Sequence, residues 1–283
     1  MTQNITLTLS CPDRPGIVHA VTSFLFSRNC DIAEHQQFDD TVGQAFFLRT
    51  TFVCGPEVTN VADLTDQFDP LARSFGMTYR FDGGEPPRVI VMVSKMGHCL
   101  NDLIFRWRAG TLGGELVAVV SNHEVLRPMA EAAGLPFVHV PVTPTTKPAA
   151  EAELLSLVKQ YEADLVVLAR YMQVLSNETC SALKGRAINI HHSFLPGFKG
   201  AKPYHQAYDR GVKFVGATAH YVTPDLDEGP IIEQEVIRID HSYDPARLAT
   251  VGQDAEALAL SRAVRWHCEN RVMLHGHRTV VFS

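Results

Sequence analysis

The sequence is poor in the features that define whole classes of protein. Its 283 residues include only six cysteines, two tryptophans and 20% charged side chains. No Cys-x-x-Cys pair occurs among Cys11, Cys30, Cys54, Cys99, Cys180 and Cys268, so neither a zinc ribbon nor a redox dithiol is indicated, and reduced, mostly buried thiols are expected. No segment approaches the roughly 18 unbroken apolar residues that a membrane helix requires. The start, MTQNITLTLSCPDRPG, lacks a basic stretch followed by an apolar one, so cytoplasmic residence and no membrane partner are expected. A formal net charge of -6 argues against nucleic acid as a partner. The absence of G-x-S-x-G and G-x-x-x-x-G-K-[ST] gives no support to an α/β-hydrolase serine or a P-loop. What is present is ample core: 46% of the residues are hydrophobic, which excludes disorder, collagen and coiled coil and leaves room for two domains.

Ile5, Leu7 and Leu9 alternate with polar residues as in a half-buried strand, which Pro12-Asp13-Arg14-Pro15-Gly16 breaks. Ile17, Val21, Phe24 and Leu25 then recur at helical spacing, and Asn29 can end that helix. Two β-rich runs, Asp31 to Phe38 and Ala45 to Val53, precede a helix from about Val58 to Phe75 and a strand from Met77 to Phe81. The order β-α-β-β-α-β predicts a ferredoxin-like α+β unit over residues 1–82. Residues 83–87, Gly-Gly-Glu-Pro-Pro, have the composition of a linker. From 88 to 283 the rhythm changes to apolar strands alternating with helices. Val89 to Val93, Leu116 to Ser121, Phe137 to Val140, Leu165 to Ala169 and Ala187 to Ile190 suit a mostly parallel, Rossmann-like sheet covered on both faces. In such a sheet, ligands bind beyond the carboxyl ends of the strands.

Of thirteen histidines, nine lie at or beyond His139, with a cluster between His191 and His220. Asn189 and His191 alternate onto one face at the end of an apolar strand, while His192 points elsewhere, which disfavours a chelating histidine pair. An amide donor beside an imidazole suits acyl chemistry: Asn189 can donate to an oxyanion, and His191 can move a proton if a carboxylate holds its ring. Asp225, Asp227 and Glu228 follow in an acidic turn closed by Gly229 and Pro230. By spacing alone, these can equally be solvated loop carboxylates.

The segments Asn189-Ile190-His191-His192-Ser193-Phe194-Leu195-Pro196-Gly197 and His220-Tyr221-Val222-Thr223-Pro224-Asp225-Leu226-Asp227-Glu228-Gly229-Pro230 resemble the folate-dependent formyltransferase fold, as in glycinamide ribonucleotide transformylase. Asp13-Arg14-Pro15-Gly16-Ile17-Val18 resembles the turn of an ACT domain, and an ACT domain fused before a formyltransferase-like domain resembles the formyltetrahydrofolate deformylase family. The resemblance implies hydrolysis of 10-formyltetrahydrofolate to formate and tetrahydrofolate, supplying formate for purine biosynthesis, with folate as substrate, no cofactor and no metal. It implies Asn189, His191 and Asp227 as catalytic residues, and Tyr171, Met172, Gln173, Leu175, Val222, Thr223 and Asp225, with His220, around the pterin. Which of His191 and Asp227 handles the attacking water stays open. The ACT resemblance implies amino-acid sensing at Asp13, Arg14, Pro15 and Gly16, with glycine and methionine as first candidates, and a homo-oligomer.

Two enzyme readings remain open in the sequence, together with a non-catalytic folate or amino-acid sensor. A transformylase holds its second substrate's phosphate on a Gly-rich loop resembling Ser-Gly-Asn-Gly-Ser-Asn-Leu. Here Ser94-Lys95-Met96-Gly97-His98-Cys99-Leu100 keeps one of the two glycines, which weakens backbone access to phosphate and favours water as acceptor. Lys199, Lys202 and Arg210 are either a solvated loop or a site for a folate's glutamate tail.

Overall fold

A computed structural model describes residues 4–55, 60–195 and 203–283. Two compact units emerge, Met1–Glu85 with Asn270–Met273 and Val280–Ser283, and Pro86–Glu269 with Leu274–Thr279. The division between the first two segments falls within the expected linker. The second domain, however, does not run unbroken to residue 283, because eight C-terminal residues belong to the first unit.

The first unit contains β1 (Asn4–Pro12), α1 (Ile17–Phe26), β2 (Asp31–Asp40), β3 (Ala45–Val53), α2 (Val61–Phe75) and β4 (Thr78–Asp82). Its strands form an antiparallel sheet in the order β2-β3-β1-β4. Every second residue of β1 is buried, as its alternation requires. Ile17, Val21, Phe24 and Leu25 bury the inner stripe of α1, and Asn29 takes the left-handed backbone, φ 53°, that turns the chain into β2. Asn60 starts α2 by accepting a hydrogen bond from the Asp63 backbone N–H at 2.8 Å. The expected start at Val58 lies outside the described residues. Phe68 packs edge-on against Phe24, Tyr79 and Phe81 at the centre of the core.

One expectation fails in this unit. Cys30 and Cys54 are joined in a disulfide, while Cys11, Cys99, Cys180 and Cys268 are free and buried. Pairing of β2 with β3 sets Asp31 opposite Val53, so the cysteines just outside those residues face one another. Sequence separation gave no sign of this contact.

The second unit begins with β5 (Arg88–Val93), α3 (His98–Arg108), β6 (Glu115–Ser121), α4 (Arg127–Ala132), β7 (Phe137–His139), α5 (Lys147–Gln160), β8 (Leu165–Leu168), α6 (Asn177–Ala182) and β9 (Ala187–His191). It continues with α7 (Pro203–Asp209), β10 (Phe214–Tyr221), β11 (Ile231–Arg238) and α8 (Pro245–Cys268), and a hairpin of β12 (Val272–His275) and β13 (Arg278–Val281) ends the chain. Seven strands lie in the order β11-β10-β9-β8-β5-β6-β7. The five from β5 to β9 run parallel, and β10 and β11 add an antiparallel edge. All four residues of β8 and five of six in β5 are buried, as strands covered on both faces must be. Among the described residues, no helix is long and apolar enough to cross a membrane.

Candidate active site

Side chains gather at the carboxyl ends of β8 and β9, where the apolar strands give way to Arg170-Tyr171-Met172-Gln173 and to His191-His192. β10 returns antiparallel beside β9 and sets His220 opposite Asn189. The segment after β10 folds back toward the same side chains. Its return is fixed by the Tyr221 N–H donating to Pro230 O at 2.9 Å and by Gly229, where a Cβ would lie 1.7 Å from Tyr221 O. Only glycine permits that approach. Asp227 reaches the cavity from a left-handed backbone, φ 57°.

The resulting cavity, about 240 Å³, is lined by all of Asn189, His191, Asp227, Tyr171, Met172, Gln173, Leu175, Val222, Thr223, Asp225 and His220. His191 is 6% exposed, and its Nδ1 lies 3.2 Å from Asp227 Oδ2, while its Nε2 has no hydrogen-bond partner among the described residues. With a carboxylate on Nδ1, the neutral ring carries its proton there and leaves a lone pair on Nε2. The hydrogen bond with His191 holds the Asp227 carboxyl below the usual carboxylate range, against the opposing effect of burial.

Asn189 Nδ2 lies 3.2 Å from His220 Nε2, and His220 Nδ1 lies 2.9 Å from Tyr221 O. A backbone carbonyl only accepts, so His220 Nδ1 donates to it and Nε2 accepts from the Asn189 amide. Burial lowers the His220 pKa and keeps that ring neutral. One Asn189 N–H is thereby committed to orienting the amide, and the second is available to a ligand. Burial also pushes the Tyr171 phenol up to about 12, so it remains protonated. Met172, Val174 and Leu226 supply exposed apolar surface around the cavity.

The structure corrects the reading of His192. Strand alternation would have turned it away, but β9 ends at His191, and His192 lines the cavity with its ring centroid 5.2 Å from that of His191. Burial first, then the charge of Arg170, lower its pKa to about 4. Arg170, 9% exposed, also lines the cavity. The resemblance implies it as the first residue of the loop around the pterin, with no role of its own. Lys95 is exposed and does not line the cavity, Arg210 is exposed, and Lys199 and Lys202 lie outside the described residues.

The ligating atoms of His98, Cys99 and Glu256 lie within 4.8 Å of one another. His98 Nε2 is already 2.8 Å from Glu256 Oε2, and Arg170 Nε stands 3.4 Å from the same oxygen. A guanidinium there takes the place a cation would need, and burial holds the Cys99 thiol well above its ordinary pKa.

In the first unit, Asp13, Arg14, Pro15 and Gly16 form an exposed turn between β1 and α1. Asp13 N–H donates to Gln44 O at 3.0 Å, Arg14 donates to Ser74 O and lies 4.1 Å over the Phe75 ring, and Gly16 has φ 95°.

Residues 87–264 match the formyl transferase family. The chain is 54% identical over 277 residues to a formyltetrahydrofolate deformylase of Corynebacterium sp. (strain P-1), covering 97% of this chain and 96% of that protein. It is similar to the crystal structure of formyltetrahydrofolate deformylase from Burkholderia mallei, with a TM-score of 0.94, 51% identity and coverage of 99% and 100% of the two chains. Glycinamide ribonucleotide transformylase 1 from Symbiobacterium toebii is similar over only 72% of this chain and 97% of its own, with a TM-score of 0.66 and 31% identity. With one fold shared along nearly the whole chain by deformylases and over 72% of it by a transformylase, the chain belongs to the formyltetrahydrofolate deformylase family.

Proposed function

We infer that this protein hydrolyses 10-formyltetrahydrofolate to formate and tetrahydrofolate. The observation that carries the chemistry is the arrangement around His191, whose Nδ1 faces Asp227 and whose Nε2, without a partner among the described residues, shares the cavity with the Asn189 amide. Asn189 donates to the formyl oxygen as it becomes an oxyanion. Water attacks the formyl carbon and gives a proton to His191 Nε2, and the Asp227 carboxylate stabilises the imidazolium. As the C–N10 bond breaks, His191 returns that proton to N10. Formic acid then loses its remaining proton to solvent, so the balance is one water consumed and one formate, one proton and one tetrahydrofolate released. Asp227 acts through His191 because its Oδ2 lies against Nδ1. The apolar rim of Met172, Val174 and Leu226 suits the flat ring of the substrate.

A transformylase is not favoured, since deformylases are similar over 97–99% of the chain whereas the transformylase is similar over only 72% of it. Incubating the pure protein with 10-formyltetrahydrofolate alone tests the reading. Formate released without any amine is expected; formyl transfer only upon addition of glycinamide ribonucleotide would replace hydrolase with transferase.

For the first unit we propose amino-acid sensing at the turn Asp13 to Gly16, with glycine and methionine as effectors. Support comes from the ferredoxin-like topology and from an exposed turn rather than a buried one. If no amino acid shifts turnover or melting temperature, the unit serves assembly instead. A homo-oligomer, a cytoplasmic setting and supply of formate to purine biosynthesis complete the reading.

A further inference from the structure

Arg170 is a cationic side chain in the cavity that the hydrolytic mechanism leaves without a task. It follows β8 directly and holds φ 64°, a left-handed backbone uncommon for a residue with a long side chain. Its guanidinium is charged at any physiological pH and is nonetheless buried. Among the described residues, Nη2 reaches the Met96 sulfur, at 3.6 Å, a weak acceptor. Among the described residues, Nε and Nη1 have no hydrogen-bond acceptor. Glu256 stands 3.4 Å from Nε without making that bond, and its Oε2 also receives His98 Nε2 at 2.8 Å. Burying donors of a permanent cation without acceptors is costly, so a ligand that supplies acceptors would relieve the cost.

The cavity that Arg170 lines also contains Asn189, His191 and His192. The charge of Arg170 is felt at His192, which burial keeps neutral and therefore no rival for an anion. Hydrolysis creates one new anion inside this cavity, a carboxylate of three heavy atoms. Guanidinium and carboxylate are well matched in charge and geometry. We propose that Arg170 forms a formate subsite, in which its unsatisfied N–H groups receive the product carboxylate released at His191. The proposal rests on the hydrolase reading, because that reading makes formate the product. It also accounts for the position of a buried cation that would otherwise serve only to brace β8 against α8.

The test follows tetrahydrofolate release from 10-formyltetrahydrofolate in a rising series of sodium formate at constant ionic strength, with sodium acetate and sodium chloride as controls. Formate is expected to inhibit the wild type more strongly than either control and to raise the melting temperature of the folate-free protein. Arg170→Gln should require about tenfold more formate for the same inhibition, the loss expected for one hydrogen bond to a charged group. Arg170→Gly, which suits the left-handed backbone, should lose the formate response as well. A variant that melts lower but keeps wild-type sensitivity to formate would leave Arg170 a structural brace and overturn the subsite. So would a wild type that responds to formate no more than to chloride, which decides the matter even if neither variant folds. Absence of acceptor-free tetrahydrofolate release would instead sink the hydrolase reading, with the melting experiment still reporting on the subsite.

Discussion

Replacing Asp227 by Asn separates chemistry from folding more cleanly than any other change in this site. Asn adopts a left-handed backbone about as readily as Asp, so the φ of 57° is kept without strain. The Asn carbonyl can still accept from His191 Nδ1, now 3.2 Å from Oδ2. What disappears is the negative charge that stabilises the imidazolium during proton transfer. Positioned acid–base catalysis contributes roughly 10²–10⁴ in rate. The kcat should fall by that factor, equivalent to about 3–5 kcal/mol of barrier. Thermal unfolding should move by no more than about 4 °C, the shift expected for about 1 kcal/mol in a protein of this size. Because Asp227 has a depressed folded-state pKa, its contribution to stability is present above its unfolded value and lost as pH falls through the folded one. The gap in stability between wild type and D227N should therefore close only on strong acidification. Asp227→Ala adds a backbone cost of about 1–2 kcal/mol and should melt lower without losing much more rate. The assay is formate release with KM and kcat measured separately, beside a thermal melt. A D227N protein that melts normally and keeps more than about a tenth of wild-type kcat would refute the assigned role of the carboxylate.

Three further perturbations follow from the same geometry. His192 has its folded-state pKa lowered from 6.5 to about 4, so the unfolded chain binds the proton first as pH falls. Stability should be full above the unfolded value and decline by about 3 kcal/mol toward pH 4, and His192→Gln should flatten that part of the urea-midpoint profile. Gly229→Ala drives a Cβ to 1.7 Å from Tyr221 O, so turnover and melting temperature should both drop; an active, normally melting G229A would contradict the described turn. The Cys30–Cys54 bond spans a sequence separation of 24, and its reduction should cost about 3 kcal/mol. Titration of the unreduced, denatured protein should find only the four thiols of Cys11, Cys99, Cys180 and Cys268, and six would remove the bond.

The elements legible in the sequence were those whose pattern repeats locally. β1 betrays itself by alternation, and β5 and β8 by unbroken apolar runs that only a doubly covered strand tolerates. β11 escaped notice because an edge strand with only one buried residue, Ile232, carries little apolar signal. The C-terminal hairpin was likewise invisible as a shared element. No local pattern tells residues 270–273 and 280–283 to join the first unit. His192 was misjudged because the period of two ends where the strand ends, and the end itself depends on the turn that follows.

By itself, the sequence determined a two-unit α/β chain, a linker near residues 83–87, and Asn189 and His191 together at the end of an apolar strand, because these depend on the spacing of neighbouring residues. The tertiary structure alone decided which nitrogen of His191 faces Asp227, how Asp227 reaches it across 36 residues, and that His192 belongs to the same cavity. Those relations arise where an antiparallel β10 and its glycine-dependent return meet parallel β8 and β9, and a contact made by the meeting of distant segments leaves no period in the chain to be read.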